Sequence, residues 1–304
     1  MPSEKLHLII KLVSVVGITA GGISLGLLIP KIGFDNSWLS KHSVNGNGTA
    51  VNHAITSTSA QAAAPSIKTE IPKAFQGQTI YQAKLQPNDK VVALTFDDGP
   101  GPKNTAQVLE ILKKNNIKAT FFMVGMMVKY FPQVAKQVAD DGHVIGNHTW
   151  HHWYRRMDVA TAASEINRTA DIIYKTTGVK TTLFRPPGGF LNNGVVDYAK
   201  SQKYAVMMWS DESSDTQRRE QPPALIKNVI KGVKPGAIVL MHDGGGNRSR
   251  TVQALPQIIS DLKAQGYKFV TIPELLEMQS KQESLAKASP ITGNSQASNQ
   301  PIHK

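Results

Sequence analysis

The feature that most constrains what this chain can fold into is an alternation of two hydrophobic periods. Seven short β-rich segments, at 91–96, 119–124, 144–147, 182–185, 205–209, 237–241 and 269–272, are each followed by a helix-length amphipathic stretch. The helical stretches fall near 103–116, 127–141, 158–177, 192–203, 222–233, 251–265 and 273–280, and Gly142, Gly178 and Gly266 stand where helices should stop. Repeated βα units require a parallel sheet, as an open doubly wound sheet or as a barrel. In either, ligand sites form at the carboxyl ends of the strands. The charged and histidine-rich clusters of this chain all fall just after expected strands, which locates a site before any motif is considered.

The flanks have a different composition. An uncharged apolar run from 12 to 30 follows Lys5 and Lys11, and it is just long enough to span a bilayer. The basic residues ahead of it predict an external C-terminal side. Apolar residues resume after the small residues Ala20, Gly21 and Gly22, which favours an uncleaved anchor at 1–34 over a cleaved signal peptide. Residues 35–75 read as a flexible spacer and 281–304 as a disordered tail, leaving a folded domain at 76–280. The chain has no cysteine, so disulfides and thiolate metal sites are excluded. Any metal must be held by His, Asp or Glu. The net charge of +12 is spread along the chain. That argues against a nucleic-acid patch and fits adhesion to an anionic surface such as a cell wall, or simply a basic soluble surface.

Five clusters carry chemistry. In Thr95-Phe96-Asp97-Asp98-Gly99-Pro100, two adjacent acids follow an apolar strand. Buried and ionised together they would repel, and a nearby cation removes that cost. In Asn147-His148-Thr149-Trp150-His151-His152, two histidines stand four apart. In a helical turn both rings would reach one ion, with His151 pointing elsewhere. With one carboxylate from the first cluster, the set is two His and one Asp, which leaves coordination positions open for hydrolysis. Phe184-Arg185-Pro186-Pro187-Gly188-Gly189 makes a stiff turn whose Arg185 can pair with an acid or serve as a structural salt bridge at the rim. Trp209-Ser210-Asp211-Glu212-Ser213-Ser214-Asp215-Thr216 crowds three acids beside an aromatic. In Leu240-Met241-His242-Asp243-Gly244-Gly245-Gly246, a His enters a glycine-rich loop and can act as general acid if a carboxylate orients it. No Gly-Lys-Ser/Thr follows those glycines, so they are no phosphate loop.

Taken in order, the five clusters resemble the polysaccharide deacetylase family, carbohydrate esterase family 4, with its NodB-homology fold. The resemblance covers roughly 85–280. It implies an α/β fold, an irregular (β/α) barrel of about seven parallel strands, and a divalent metal, usually zinc. It implies Asp97 as catalytic base, and Asp98, His148 and His152 as metal ligands. Arg185 matches the residue that orients the base, and Asp215 the carboxylate paired with the catalytic His242. Leu240 matches the wall of the acetyl pocket, Gly188 supplies the oxyanion N–H, and Trp209 lies among the substrate residues. The chain departs from the family pattern at Trp153, where Pro is usual, and at Gly188, where an aromatic is frequent. It departs again at Thr216, where an aromatic is usual, and at Glu212, where Asp is usual. The resemblance implies N-deacetylation of an extracellular amino-sugar polymer, and the anchor, the spacer and the basic surface favour peptidoglycan over chitin oligomers. No obligate protein partner is expected. The rivals are a glycosidase using paired acids and a weakly active wall-binding protein on the same scaffold.

Overall fold

The computed structural model describes residues 70–288. The expected anchor at 1–34, the spacer up to 69 and the tail from 289 lie outside those residues. Among the described residues no helix is long and apolar enough to cross a membrane.

The strands are β1 (Thr79–Ile80), β2 (Val91–Asp97), β3 (Thr120–Met123), β4 (Val144–Asn147), β5 (Leu183–Phe184), β6 (Ala205–Met207), β7 (Asp211–Glu212), β8 (Ala237–His242) and β9 (Lys268–Phe269). The helices are α1 (Asn104–Lys114), α2 (Gly125–Tyr130), α3 (Pro132–Asp140), α4 (Val159–Thr177), α5 (Val195–Ser201), α6 (Pro222–Gly232), α7 (Ser249–Ala264) and α8 (Ile272–Ala288). Neighbouring strands run parallel in the order β1-β6-β5-β4-β3-β2-β8-β7, and β9 pairs with β2. The path curls on itself because β6 and β7 are consecutive in the chain. One bent segment therefore pairs with β5 at its start and with β8 at its end, and the Ser210 N–H donates to Ile238 O on the way (3.1 Å).

The two-residue period of β2 sorts its side chains. Val92, Leu94 and Phe96 pack outward with Val108 and Leu112 of α1 and Leu255 and Ile259 of α7. Val91 and Ala93 point the other way, into a cluster with Phe122, Leu183, Met207 and Ile238. Thr95 and Asp97 share that inward phase, so the curl of the sheet carries Asp97 to the carboxyl-end mouth. All seven β2 residues are buried, as a central parallel strand requires.

The described chain departs from the expected elements in several places. Two strands, β1 and β7, were not expected, because neither carries a β-rich apolar run: β1 is Thr79–Ile80 and β7 is Asp211–Glu212. The stretch 127–141 is two helices, broken at Phe131 (φ −128°, ψ 57°), since Pro132 disfavours a helical residue before it. Folded residues also extend on both sides of 76–280. Ile71 and Phe75 are buried in the same cluster as the sheet interior, and the Gly77 N–H donates to Tyr204 O just ahead of β6. Helix α8 continues to Ala288, its first turns burying Ile272, Leu275 and Leu276 beneath the sheet. The expected stops hold at α4, where Gly178 caps the helix in the left-handed region (φ 77°) and returns its N–H to Tyr174 O.

Candidate active site

An open cleft of about 780 Å³ lies at the carboxyl ends of the strands and is lined by Asp97, Asp98, His148, His152, Leu240 and His242, among others. Strand register builds it. Asp97 and His242 are Cα partners across β2 and β8. Asn147, the last residue of β4, pairs with Met123 of β3 and with Phe184 of β5, so His148 and Arg185 leave their strands side by side.

His148 and His152 do come together, with ring centroids 4.9 Å apart. The helical turn expected between them is absent. Residues 148–152 form a loop in which Thr149 (φ 65°) and His152 (φ 61°) take the left-handed conformation. Asn147 holds that loop. Its side chain donates to Ile166 O of α4 (2.8 Å) and accepts from the Thr149 N–H (2.9 Å). The Thr149 hydroxyl in turn accepts from the His152 N–H (3.1 Å). His151 points away, as expected, and pairs with buried Glu165 (Nδ1 to Oε1, 2.5 Å). Glu165 also accepts from the Trp150 and His151 N–H groups (3.1 and 2.8 Å). His143 is a core residue. Its Nδ1 accepts the Ala119 N–H, and burial, then Lys118, lower its pKa to about 4.

Asp98, His148 and His152 each present one ligand atom, all within 4.8 Å of one another. Asp98 Oδ1 lies 2.9 Å from His152 Nε2 and 3.4 Å from His148 Nε2. That oxygen is buried yet makes no hydrogen bond of good geometry, which a bound cation would resolve. The tautomer agrees. His148 Nδ1 stands 2.7 Å from Arg185 O, which can only accept, so Nδ1 carries a proton and Nε2 is the atom left for a cation. Burial pushes the Asp98 carboxyl up, but the imidazoles of His148 and His152 outweigh it and hold it well below the usual carboxylate range. Two nitrogens and an ionised oxygen fit a divalent cation with open positions.

Asp97 is nearly closed off from solvent, and Arg185 is fully buried beside it. Arg185 Nη1 donates to Asp97 Oδ1 and to Thr95 Oγ1 (both 2.8 Å), Nε to Met207 O (2.9 Å) and Nη2 to Met208 O (3.0 Å). Its guanidinium also lies 4.1 Å from the Phe122 ring centroid. Each donor direction is fixed, so the carboxylate is fixed too.

Of the three crowded acids, only Asp215 reaches His242. Asp215 Oδ1 meets His242 Nδ1 at 2.8 Å. Oδ2 accepts from the His242 N–H (2.8 Å) and from the Thr251 hydroxyl (2.7 Å). Burial lowers the His242 pKa, but Asp215, with the charges of Asp97 and Asp98 behind it, raises it by more. Burial raises the Asp215 carboxyl, and His242 and Thr251 bring it below its ordinary value. Glu212 instead accepts from Trp209 Nε1 (3.1 Å). Asp211 lies against α6 at Gly232, and burial pushes it up to about 7.

Gly188 and Trp209 also line the cleft. Gly188 (φ 61°) takes a conformation that suits glycine. Residues without an expected role take part as well. Glu165 had no expected role, although a signal exists in the helical period: it is a charged residue on the buried face of α4 with Ala162, Ile166, Thr169 and Ile173. Asp243 is buried and accepts from the Thr105 hydroxyl (2.5 Å) beneath the Gly99 turn, and burial pushes it up to about 7. Arg248 braces the glycine loop through Gly244 O and Gly245 O, and neither residue is distinguishable by type from a surface charge.

A parallel sheet that curls to bring an Arg-held aspartate, an Asp-held histidine and a His₂Asp cluster to one mouth defines a metal-assisted hydrolase of acyl groups. The chain belongs to the polysaccharide deacetylase family, whose model matches residues 84–207. It is 43% identical over 196 residues to a peptidoglycan-N-acetylglucosamine deacetylase of Bacillus cereus, covering 62% of this chain and 89% of that protein. It is 36% identical over 220 residues to the peptidoglycan-N-acetylmuramic acid deacetylase PdaC of Bacillus subtilis, covering 72% of this chain and 45% of that protein. Among solved structures, a CE4 family pseudoenzyme from Bacillus anthracis superposes with a TM-score of 0.61 at 34% identity, over 66% of this chain and 70% of that one.

Proposed function

We propose that this protein hydrolyses N-acetyl groups of amino sugars in cell-wall peptidoglycan. The observation that carries the reading is the convergence of Asp98, His148 and His152 beside the register partners Asp97 and His242. The names of the relatives support the substrate. In this reading, Asp98, His148 and His152 hold a divalent ion. Zinc suits the donor set, and when bound it lowers the pKa of water and polarises the acetyl carbonyl.

The chain's own residues perform the rest. Asp97, aimed by Arg185, accepts a proton from the attacking water as its oxygen bonds to the acetyl carbon. The Gly188 N–H donates to the carbonyl oxygen as charge develops there. Leu240 bounds the pocket for the methyl group. His242 is anchored through Nδ1 to Asp215, which leaves Nε2 to donate a proton to the departing nitrogen as the C–N bond breaks. Trp209 lines the cleft for the sugar. The products are acetate and a free amino sugar. A fold neighbour that is a pseudoenzyme makes the completeness of this set informative. Base, acid, both orienting partners and all three ligands are present.

This function needs the enzyme outside the cytoplasm. The apolar run at 12–30 is proposed as its membrane anchor. The test compares acetate release with new reducing ends on peptidoglycan. Acetate without reducing ends supports the deacetylase, and reducing ends without acetate would favour the glycosidase.

A further inference from the structure

Two large rings stand exposed beside the cleft, and nothing in the mechanism above uses them. Tyr154, in the loop after β4, is 56% exposed, and Phe190, in the loop after β5, is 46% exposed. They meet with centroids 5.6 Å apart and planes at 59°, so they form an open corner rather than a stack. The Tyr154 ring also lies edge-on to His152, 5.2 Å between centroids, which puts the corner one side chain away from the proposed metal site. Trp153 differs from both. His151 stacks on it at 4.1 Å, and the Arg155 guanidinium lies 4.1 Å from its centroid, so the ring is already in use.

Gly188 makes the corner possible. A Cβ there would stand 3.0 Å from Phe190 Cε2 and 3.0 Å from Tyr154 Cε1. The two rings, from separate loops, therefore lean over the bare backbone whose N–H is proposed to face the reacting carbonyl. A ligand that placed its acetamide on that N–H would lay its neighbouring atoms against both rings. Exposed aromatic faces with a polar edge suit a ligand that has an apolar face and a hydroxyl rim, and a pyranose ring is such a ligand. Exposed apolar groups clustered at a cleft mark a contact surface rather than a random placement.

We propose that Tyr154 and Phe190 form a glycan subsite that takes the sugar ring adjoining the acetamide under attack, and that Gly188 is bare so the rings can reach it. This rests on the deacetylase reading and deepens it.

The test uses the full-length protein, Tyr154→Ala, Phe190→Ala and Tyr154→Phe, with metal content and melting temperature recorded for each. Two substrates are compared: a soluble N-acetylglucosamine tetramer and 4-nitrophenyl acetate, which has an acetyl group but no sugar. Each alanine variant should lower kcat/KM on the tetramer roughly tenfold, mainly through KM. The loss on the aryl ester should be several-fold smaller. Tyr154→Phe should keep most of the tetramer activity, because the ring face is retained. Equal losses on both substrates, no loss on either, or Tyr154→Phe as damaging as Tyr154→Ala would each overturn the proposal. Calorimetric binding of the tetramer separates the two readings. If the wild type binds it, the alanine variants do not, and no acetate forms, the subsite stands and the deacetylase reading fails. If the wild type does not bind it, the subsite is refuted.

Discussion

Replacing Asp215 by Asn should move the alkaline limb of the pH–activity profile to lower pH, and the geometry gives the size. Asp215 Oδ2 accepts from two donors, the His242 N–H and the Thr251 hydroxyl. In the variant the amide oxygen must occupy that position, which turns the NH₂ toward His242 Nδ1. A protonated Nδ1 would then face a donor. The imidazolium loses one charge-assisted hydrogen bond of 2.8 Å, a contribution of about 1.5–3 kcal/mol. At about 1.4 kcal/mol per pKa unit, the limb should fall by about one to two pH units. Burial, which already opposes the charged ring, then acts unopposed by Asp215.

Stability should follow the same sign. The folded pKa of His242 lies above its unfolded value. The stability this contributes is fully present below about pH 6.5 and is lost as pH rises through the folded value. The gap in melting temperature between wild type and Asp215→Asn should therefore narrow from pH 6 to pH 9. The assay is kcat/KM on the N-acetylglucosamine tetramer across that range, with melts in the same buffers. An unmoved alkaline limb would refute the pairing as the origin of the charged acid.

His148→Ala and His152→Ala should each lose the metal, while His151→Ala keeps it, because His151 is committed to Glu165. Identical metal contents in all three would overturn that assignment. A chain starting at residue 70 should fold and melt like the full protein. Phe75→Ala should cost about 3–5 kcal/mol and lower the melting temperature by roughly 6–20 °C, whereas a spacer residue would leave it unchanged. On 4-nitrophenyl acetate, His242→Ala should lose far less than the roughly 10²–10⁴-fold expected on the amide, because nitrophenolate leaves without a proton. Equal losses would show that His242 does not act as the acid.

The sheet was legible because its longest strands carry mostly apolar runs ending in chemistry, as Val91–Asp97 and Ala237–His242 do. The pairing of those two ends is a matter of register, which no local pattern encodes. The histidine pair was legible by its spacing, but the geometry proposed for it was not the one that forms. Positive φ at Thr149 and His152 is supported by the Asn147 side chain, whose own anchor, Ile166 O of α4, lies outside the motif. Ile71 and Phe75 were absorbed into the spacer because two apolar residues before a two-residue strand have no periodicity. The segment 281–288 read as tail because its helix buries almost nothing beyond Gln279. Glu165 left a trace in the helical period. Tyr154 and Phe190 left none, since only the tertiary fold brings the two loops together over Gly188.

The most direct test is mass spectrometry of peptidoglycan fragments after incubation with the zinc-loaded full-length protein and with its Asp97→Asn variant, together with the acetate released. The account predicts that the wild type removes acetyl groups from amino sugars in step with acetate and leaves the glycan chain uncut. The variant, which keeps Asp98, His148 and His152, should retain the metal and lose nearly all of that activity. Fragments that stay fully acetylated with the wild type, or an Asp97→Asn enzyme as active as its parent, would contradict it.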